Sequence, residues 1–362
     1  MYFGLSTEQR LLQESLAGAL DRAAPLERVR AFADGDLSVE RGIWGDLADL
    51  GAPGLLIAEE HGGTGLTLLD AALAAEILGS RASPSPFLST TVLAPLALRL
   101  AGSSAQRASW LPRLAAGEAT AAAAISEPVS GTRDGAGVRA GGGRLNGRAL
   151  FVLDAPADLI VVADDARGLH LVEAGGSGTS TKPLTTIDKT RRMAEVRFDD
   201  APAEPLNSNA DVLARLRDAA WVILAADMLG ASQAMLEKAV AYAKERRQFG
   251  RLIGSFQAVK HLCAEMAAKL EPCRALVWYA AYAFDAAPEE ASLAAAHAKA
   301  HLSEVSRFVA RTATEVHGGI GFTELLGLHY WFKRVGLDRQ LLGGPERVRA
   351  LAAQMQGLGA AA

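Results

Sequence analysis

Cysteine is scarce in this chain, with Cys263 and Cys273 the two thiols among 362 residues. Neither has ligand-type neighbours at the spacing of a metal site, so we expect both to be reduced packing residues and expect no metal. The motifs HExxH, CxxC and G-x-S-x-G and a complete phosphate loop are also missing from the sequence. No catalytic constellation therefore stands out by spacing alone.

Blocks of like charge and membrane-length apolar runs are missing as well. The 37 basic and 41 acidic residues nearly balance, so we expect no nucleic-acid partner and no anionic membrane surface. No stretch approaches the roughly 20 uninterrupted apolar residues of a membrane span. The first ten residues lack a basic start followed by an apolar run, so we expect no signal peptide. These features predict a cytoplasmic protein.

Half of the residues are hydrophobic, enough for two or three domains with a sizeable core. Leucines recur at helical spacing through 1–118, which predicts an N-terminal helical domain. Short apolar runs separated by Gly, Asp and Pro predict a central antiparallel β domain over 119–205, with a hairpin turn at 141–143. Helical periodicity returns over 206–362 and predicts a C-terminal four-helix bundle. The expected fold class is thus α+β and multidomain.

The predicted bundle contains one very long helix over 212–245, followed by helices over 256–270, from about 271, and over 289–316. Between the first two lies a segment, 246–258, that carries arginines, an aromatic residue and two glycines. It predicts a helix end, a tight turn and a new helix that Ser255 can cap. Its arginines have forked donors suited to phosphate oxygens. A helix corner with solvated basic residues is an equally good interpretation of this segment alone.

A second glycine cluster follows the predicted helix that ends at Val316. Gly318 and Gly319 allow the backbone to approach a ligand closely, and exposed amides at such a turn can face a pyrophosphate. A simple helix C-cap explains the same residues. His297 and His301 lie one helical turn apart but lack a third ligand nearby, so we interpret them as a surface or core pair.

The order of elements and several motifs resemble one family, the acyl-CoA dehydrogenases, which are flavoproteins that remove hydrogens across the α,β bond of an acyl-CoA. The resemblance extends over nearly the full chain. Its two most specific motifs, in the right order, are 246–257 and 315–319. The resemblance also includes the turn 125–128 and two motifs that are weak alone, Trp44 with 47–54 and the loop 59–65.

The resemblance implies an FAD held between the β domain and the bundle, with its adenosine end reaching a neighbouring subunit. It places Ser126 beside the flavin ring, and Gly131 and Thr132 near the thioester and pantetheine channel. The residues that it assigns to the FAD diphosphate and adenosine across the interface are Arg246, Gln248, Phe249, Gln257, Glu315, Gly318 and Gly319. An arginine fork and close-approach glycines are what a diphosphate requires.

Several positions depart from the family. The two positions that supply the proton-abstracting carboxylate fall on Gly343 and Ala220, and neither can accept a proton. Nearby carboxylates are Glu346 and Asp227, which we interpret as a surface charge and a polar or interface residue rather than substitute bases. Other departures are Phe151 for a common Trp, Leu153 for the Thr or Ser near flavin N5, Trp221 for Arg, and Glu315 for Gln.

These departures lead to three hypotheses. The leading one is a subunit of an FAD-dependent acyl-CoA dehydrogenase that works with a base-bearing paralogous subunit in a heterotetramer, with a steroid side chain as the acyl group. Homo-oligomerisation remains an alternative, and electron-transfer flavoprotein is an expected acceptor. The second hypothesis is a self-sufficient flavin enzyme of the same fold, an oxygenase or acyl-carrier dehydrogenase. The third is a non-catalytic structural partner without flavin.

Overall fold

A computed structural model describes residues 4–358 and begins with a helical region. Ser6 caps the first helix: its hydroxyl accepts from the amide of Gln9, and the side chain of Gln9 accepts from the amide of Ser6. A π-helical turn over Leu88–Leu93 leads directly into the fifth helix. The helices of this region are α1 (Thr7–Ala23), α2 (Leu26–Ala33), α3 (Ser38–Ala48), α4 (Leu68–Ser80), α5 (Ala94–Ala101) and α6 (Ser104–Ala115).

One eight-stranded sheet forms the central region, with the short helix α7 (Ser126–Ser130) after its first strand. Its spatial order is β6-β7-β3-β1-β4-β5-β8, and β2 pairs with β3. Gly142 and Gly143 form the predicted hairpin turn, with φ of 59° and 74°. The strands are β1 (Ala121–Ala124), β2 (Gly137–Gly141), β3 (Arg144–Leu153), β4 (Leu159–Ala163), β5 (Leu169–Glu173), β6 (Thr179–Pro183), β7 (Met193–Pro202) and β8 (Glu204–Pro205).

The prediction of a purely antiparallel β domain is wrong in one pairing. Strands β1 and β4 are parallel, with Ala121 opposite Leu159 and Ala124 opposite Val162, so the sheet is mixed. The chain leaves β1 through α7 and the β2–β3 hairpin before it returns as β4, and a connection of that length permits a parallel pair. Both strands are buried on both faces because the sheet lies between the helical core and a second apolar core of its own.

The last region is helical, and its first helix, α8 (Ala210–Glu245), begins where the Asn209 side chain accepts from the amides of Asp211 and Val212. An 18-residue window of α8 is apolar enough to span a membrane, but 94% of it is buried within the protein. Such burial is typical of the central helix of a helical bundle. The remaining elements are β9 (Arg247–Gln248), β10 (Arg251–Leu252), α9 (Gln257–Ala286), α10 (Pro288–His317), α11 (Leu328–Gln340) and α12 (Pro345–Met355).

The predicted helix break near residue 271 is wrong, because Pro272 lies inside the continuous helix α9. Proline removes the hydrogen bond to the carbonyl four residues earlier, here that of Ala268. Pro272 and Ala268 both lie on the exposed side of α9, where water can replace the missing donor. The fold class of helical N- and C-terminal regions around a central sheet is confirmed.

Candidate cofactor and substrate site

The segment after α8 is a two-strand hairpin that projects from the bundle. Gln248 pairs with Arg251 across a two-residue turn, in which Phe249 and Gly250 have φ of 53° and 76°. Such a left-handed pair is the usual geometry of a tight hairpin turn. Phe249 at the tip is 92% exposed. An apolar ring in that position is available to a ligand or to another chain.

The helix that follows the hairpin does not begin as predicted. The hydroxyl of Ser255 donates to the Leu252 carbonyl at 2.7 Å, and Phe256 holds the N-cap position of α9 without a side-chain cap. Phe256 instead anchors the hairpin, because the Arg251 guanidinium lies 3.9 Å above its ring and Phe249 meets its edge at 6.2 Å. Gln257, the first residue of α9, is exposed on the same segment.

The second glycine cluster lies at the end of α10 and is an exposed turn. Gly318 has φ 65° and ψ −145°, a conformation that glycine alone adopts readily. A side chain added at Gly318 or Gly319 would meet no atom within 4 Å, so the space above the backbone is open. Glu315, one turn earlier, is exposed as well.

A buried aromatic contact joins the glycine turn to the hairpin. The ring of His317 stacks on Tyr242, near the end of α8, with 4.8 Å between centroids. Its Nδ1 lies 2.7 Å from the Ala313 carbonyl, and burial lowers the pKa of His317 below its usual value. The contact places the turn at Gly318 close to the start of the hairpin at Arg246. The sequence analysis assigned no role to His317. The one signal that could have indicated a role is its position between Val316 and two glycines.

The residues assigned to the flavin ring are packed into the protein. The Ser126 hydroxyl donates to the Phe151 carbonyl at 3.2 Å. Phe151 has φ 52° and lies below the Arg133 guanidinium at 5.7 Å. Leu153 is 3% exposed and belongs to the main hydrophobic core. These side chains make their contacts within this chain, whereas the hairpin and the glycine turn are exposed.

Glu127 holds this part of β3 in place and was missed from sequence. The β3–β7 register shifts between Ala149 and Val152, which leaves the Leu150 amide free to donate to Glu127 Oε1 at 2.8 Å. Burial raises the pKa of the Glu127 carboxyl, although this hydrogen bond opposes the shift.

The two positions that the resemblance assigns to the base are enclosed by the protein. Ala220 lies in the core, and Gly343 has φ 112°, where a residue with a side chain is strained. The indole Nε1 of Trp221 donates to the Leu342 carbonyl at 2.9 Å, so the loop that carries Gly343 is bound to α8. Arg217 lies above the same indole, 4.7 Å from its centroid.

Neither nearby carboxylate is placed to act as a substitute base. Asp227 is buried and receives two hydrogen bonds from Arg334, at 2.8 and 2.7 Å, with Arg191 at 3.0 Å. Burial opposes its ionisation, but the two guanidinium charges outweigh that effect and hold the pKa of Asp227 well below its usual range. Glu346 is exposed and lies 3.4 Å from Arg339, as expected of a surface charge.

Asp227 belongs to a buried charge cluster that joins the sheet region to the bundle. Arg191 reaches from the loop before β7 to Asp227 on α8 and to Asp338 on α11, at 3.0 Å in each case. The ammonium of Lys299 on α10 donates to the Asp338 carbonyl, and burial lowers the pKa of Lys299 to about 7. The sequence shows each charge but not that they meet.

Gly131 and Thr132 line an open cleft of about 1260 Å³. The Arg347 guanidinium, from α12, would be 3.4 Å from a side chain at Gly131, so α12 closes one side of the cleft. The cleft shares Pro128, Arg167 and Arg347 with an inner cavity of about 430 Å³ that extends to Trp221. The arginines around the outer cleft are Arg139, Arg148, Arg167, Arg197 and Arg347.

Comparison with known proteins identifies relatives over the whole chain. The family descriptions that match are "Acyl-CoA dehydrogenase, N-terminal domain" over residues 6–118 and "Acyl-CoA dehydrogenase, C-terminal domain" over residues 216–356. The acyl-CoA dehydrogenase IpdE2 of Mycolicibacterium smegmatis is 34% identical over 353 residues, which cover 97% of this chain and 100% of that protein.

Two solved structures of paired chains are also similar. A chain of the ChsE4-ChsE5 complex from Mycobacterium tuberculosis has a TM-score of 0.92 and 26% identity, with 100% of both chains covered. A chain of the steroid acyl-CoA dehydrogenase Tcur3481-Tcur3483 has a TM-score of 0.88 and 28% identity, over 98% of this chain and 99% of that one. Both structures are named after two different components.

Proposed function

Because the chain belongs to the acyl-CoA dehydrogenase family, we propose that it is one subunit of a two-component FAD-dependent dehydrogenase of CoA thioesters. A paralogous subunit supplies the base-bearing active site, and the two assemble as a heterotetramer in the cytoplasm. The substrate is a CoA thioester of a steroid side chain. Two similar structures, each named after two components, support this proposal, and one of them is described as a steroid acyl-CoA dehydrogenase.

The observation that carries the proposal is a contrast between two parts of one site. The hairpin with Phe249 at its tip and the turn at Gly318 are exposed, as residues that reach a neighbour's cofactor must be. The positions of the base and of the flavin ring, Ala220 and Leu153, are filled by core packing. A chain of this kind can hold the adenosine half of an FAD without completing an active site of its own.

Each exposed group has a definite role in this proposal. When bound, FAD supplies the hydride acceptor of the dehydrogenation. Arg246 would neutralise diphosphate oxygens, and the amides of Gly318 and Gly319 would donate to them. Phe249 and Gln248 would contact the adenosine. Glu315 would repel the phosphates unless an arginine lies close by, a requirement that Arg246 can meet.

The test is to purify the chain alone and together with the products of adjacent genes, and to measure FAD per chain and dehydrogenation of a steroid CoA thioester. We expect FAD and activity with the paralogous subunit, and expect Arg246→Ala in this chain to release FAD from the complex. Arg349→Ala, a surface change on α12, is the matched control. Stoichiometric FAD and full dehydrogenase activity in the isolated chain would refute the proposal.

The same experiment separates the other two hypotheses. Oxygen consumption or a hydroxylated product from the isolated chain would identify a self-sufficient flavin enzyme. A colourless complex whose activity does not respond to Arg246→Ala would identify a structural partner without flavin. Electron-transfer flavoprotein is the acceptor we propose for the two-component enzyme, so it should be reduced by the complex when substrate is added.

A further inference from the structure

The indole of Trp221 is part of the lining of the inner cavity beside the outer cleft. The cavity is lined by α7, by the first turns of α8 and by α12. Trp221 is 2% exposed. The residues next to it, Ala220 on the same helix and Leu342 across the bond to the indole, belong to the hydrophobic core. A ligand that enters from the outer cleft therefore meets packed protein at Trp221.

Trp221 is held in this position by polar contacts on two sides. Its Nε1 donates to the Leu342 carbonyl at 2.9 Å, and the Arg217 guanidinium lies 4.7 Å from the ring centroid on the cavity side. Arg217 is fixed in turn by Asp218, at 2.7 Å, and the hydroxyl of Ser292 donates to the same carboxylate. Rotation of the indole away from the cavity would break these contacts. The contacts therefore hold the Trp221 side chain in one orientation.

The lining of the outer cleft carries five arginines against three carboxylates, those of Glu127, Asp165 and Asp199. Two of its arginines are paired with carboxylates: Arg148 lies 2.9 Å from Asp134, and Arg197 lies 2.6 Å from Glu195. The three others, Arg139, Arg167 and Arg347, are exposed in the cleft. Thr132 and Ser180, two exposed residues with hydroxyl groups, lie on the same lining. Forked donors and hydroxyls together suit the oxygens of a phosphorylated nucleotide.

The inner cavity is lined differently. Val129, Leu213 and Leu351 give it apolar walls, and Arg217 and Gln354 add polar groups. The two cavities meet at Pro128, Arg167 and Arg347. They match a ligand with a phosphorylated head and a slender arm that ends at Trp221.

We propose that Trp221 is a specificity-determining residue that makes this cleft a blind site: it admits the nucleotide and pantetheine arm of CoA and excludes a bulky acyl group. The identity of the ligand as a CoA compound rests on the function proposed above. The exclusion itself rests on the position of the indole. This chain then binds free CoA in preference to the bulky thioester that the partner subunit oxidises.

The test is calorimetric titration of the full-length chain with CoA and with phenylacetyl-CoA. We expect the wild type to bind CoA at least about tenfold more tightly than phenylacetyl-CoA, because an acyl group has no space beyond the indole. Trp221→Ala should remove that preference, whereas Trp221→Phe should keep part of it. Arg347→Ala should weaken both ligands, and Arg349→Ala, two residues away on α12, should leave both unchanged.

Several outcomes would overturn the proposal. They are equal or tighter binding of phenylacetyl-CoA by the wild type, an unchanged preference in a Trp221→Ala variant with wild-type circular dichroism, and no measurable binding of CoA. The titration needs no flavin, whereas the proposed function is tested by FAD content and activity of the complex. The proposed role of Trp221 can therefore be refuted without refuting the proposed function, and the proposed function can be refuted without refuting the role of Trp221.

Discussion

Breaking the ion pair between Asp227 and Arg334 should destabilise the protein more than any surface change. Arg334 is 2% exposed, and its guanidinium donates twice to Asp227 and once to the hydroxyl of Thr190 at 2.9 Å. Arg334→Met leaves the Asp227 carboxylate with Arg191 alone. Removing one partner of a buried pair costs about 3–5 kcal/mol, because the other charge remains desolvated. Such a loss is a large fraction of the roughly 5–15 kcal/mol by which native proteins are stable.

The measurement is urea unfolding followed by circular dichroism, on the chain in its purified assembly. Arg334→Met and Asp227→Leu should each lower the unfolding midpoint strongly. The double variant should lose less than the sum of the two, because replacing both charges by apolar side chains leaves none unpaired. This coupling distinguishes a lost ion pair from two independent packing defects.

A surface pair provides the comparison. Arg349 is half-exposed and lies 3.4 Å from Glu304, a geometry worth about 0–1 kcal/mol, so Arg349→Ala should change the midpoint little. Single variants of the buried pair that behave like Arg349→Ala would refute the reasoning. So would a double variant whose loss equals or exceeds the sum of the single losses.

Three further predictions concern particular positions. Gly230→Ala should destabilise the protein by about 3 kcal/mol in urea titrations, because the added carbon would lie 1.8 Å from the Glu76 carbonyl and force α4 away from α8. Gly343→Ala should cost about 1–3 kcal/mol through its φ of 112° alone, and a smaller loss would show that the loop can rearrange. Burial lowers the pKa of His317 from 6.5, so the unfolded chain binds more protons just below pH 6.5. Stability should therefore fall as pH drops below 6.5, and His317→Leu should flatten that slope in unfolding titrations across pH 5–6.5.

Helix and strand periodicity was enough to predict the order of the three regions, because each element buries a regular face. It did not reveal the parallel pair β1–β4, since two strands buried on both faces read the same in either direction. Nor did it show that α9 continues through Pro272. A proline ends a helix only where its lost hydrogen bond cannot be replaced, and the burial of that side is a tertiary property.

For the candidate site as well, the sequence predicts local features but not long-range contacts. Glycines and arginines identify the hairpin and the turn at Gly318 as turns in the sequence, although a solvated helix corner and a helix C-cap explain the same residues. The roles of Trp221, His317 and Glu127 depend on which distant atoms they meet: the Leu342 carbonyl, the Tyr242 ring and the Leu150 amide. Residue type alone carries no such information.

Exposure and burial differ between the hairpin and the residues around Trp221. Phe249 holds a strained backbone conformation, and its ring has almost no contact with the rest of the protein beyond the edge of Phe256. Both features cost free energy in an isolated chain, since a positive φ strains a residue with a side chain and water solvates an apolar ring poorly. Trp221 and Leu153 show the opposite, because their apolar surface is buried in the hydrophobic core. In the proposed two-subunit enzyme, contact area for a partner is therefore available at the exposed hairpin rather than at the buried Gly343.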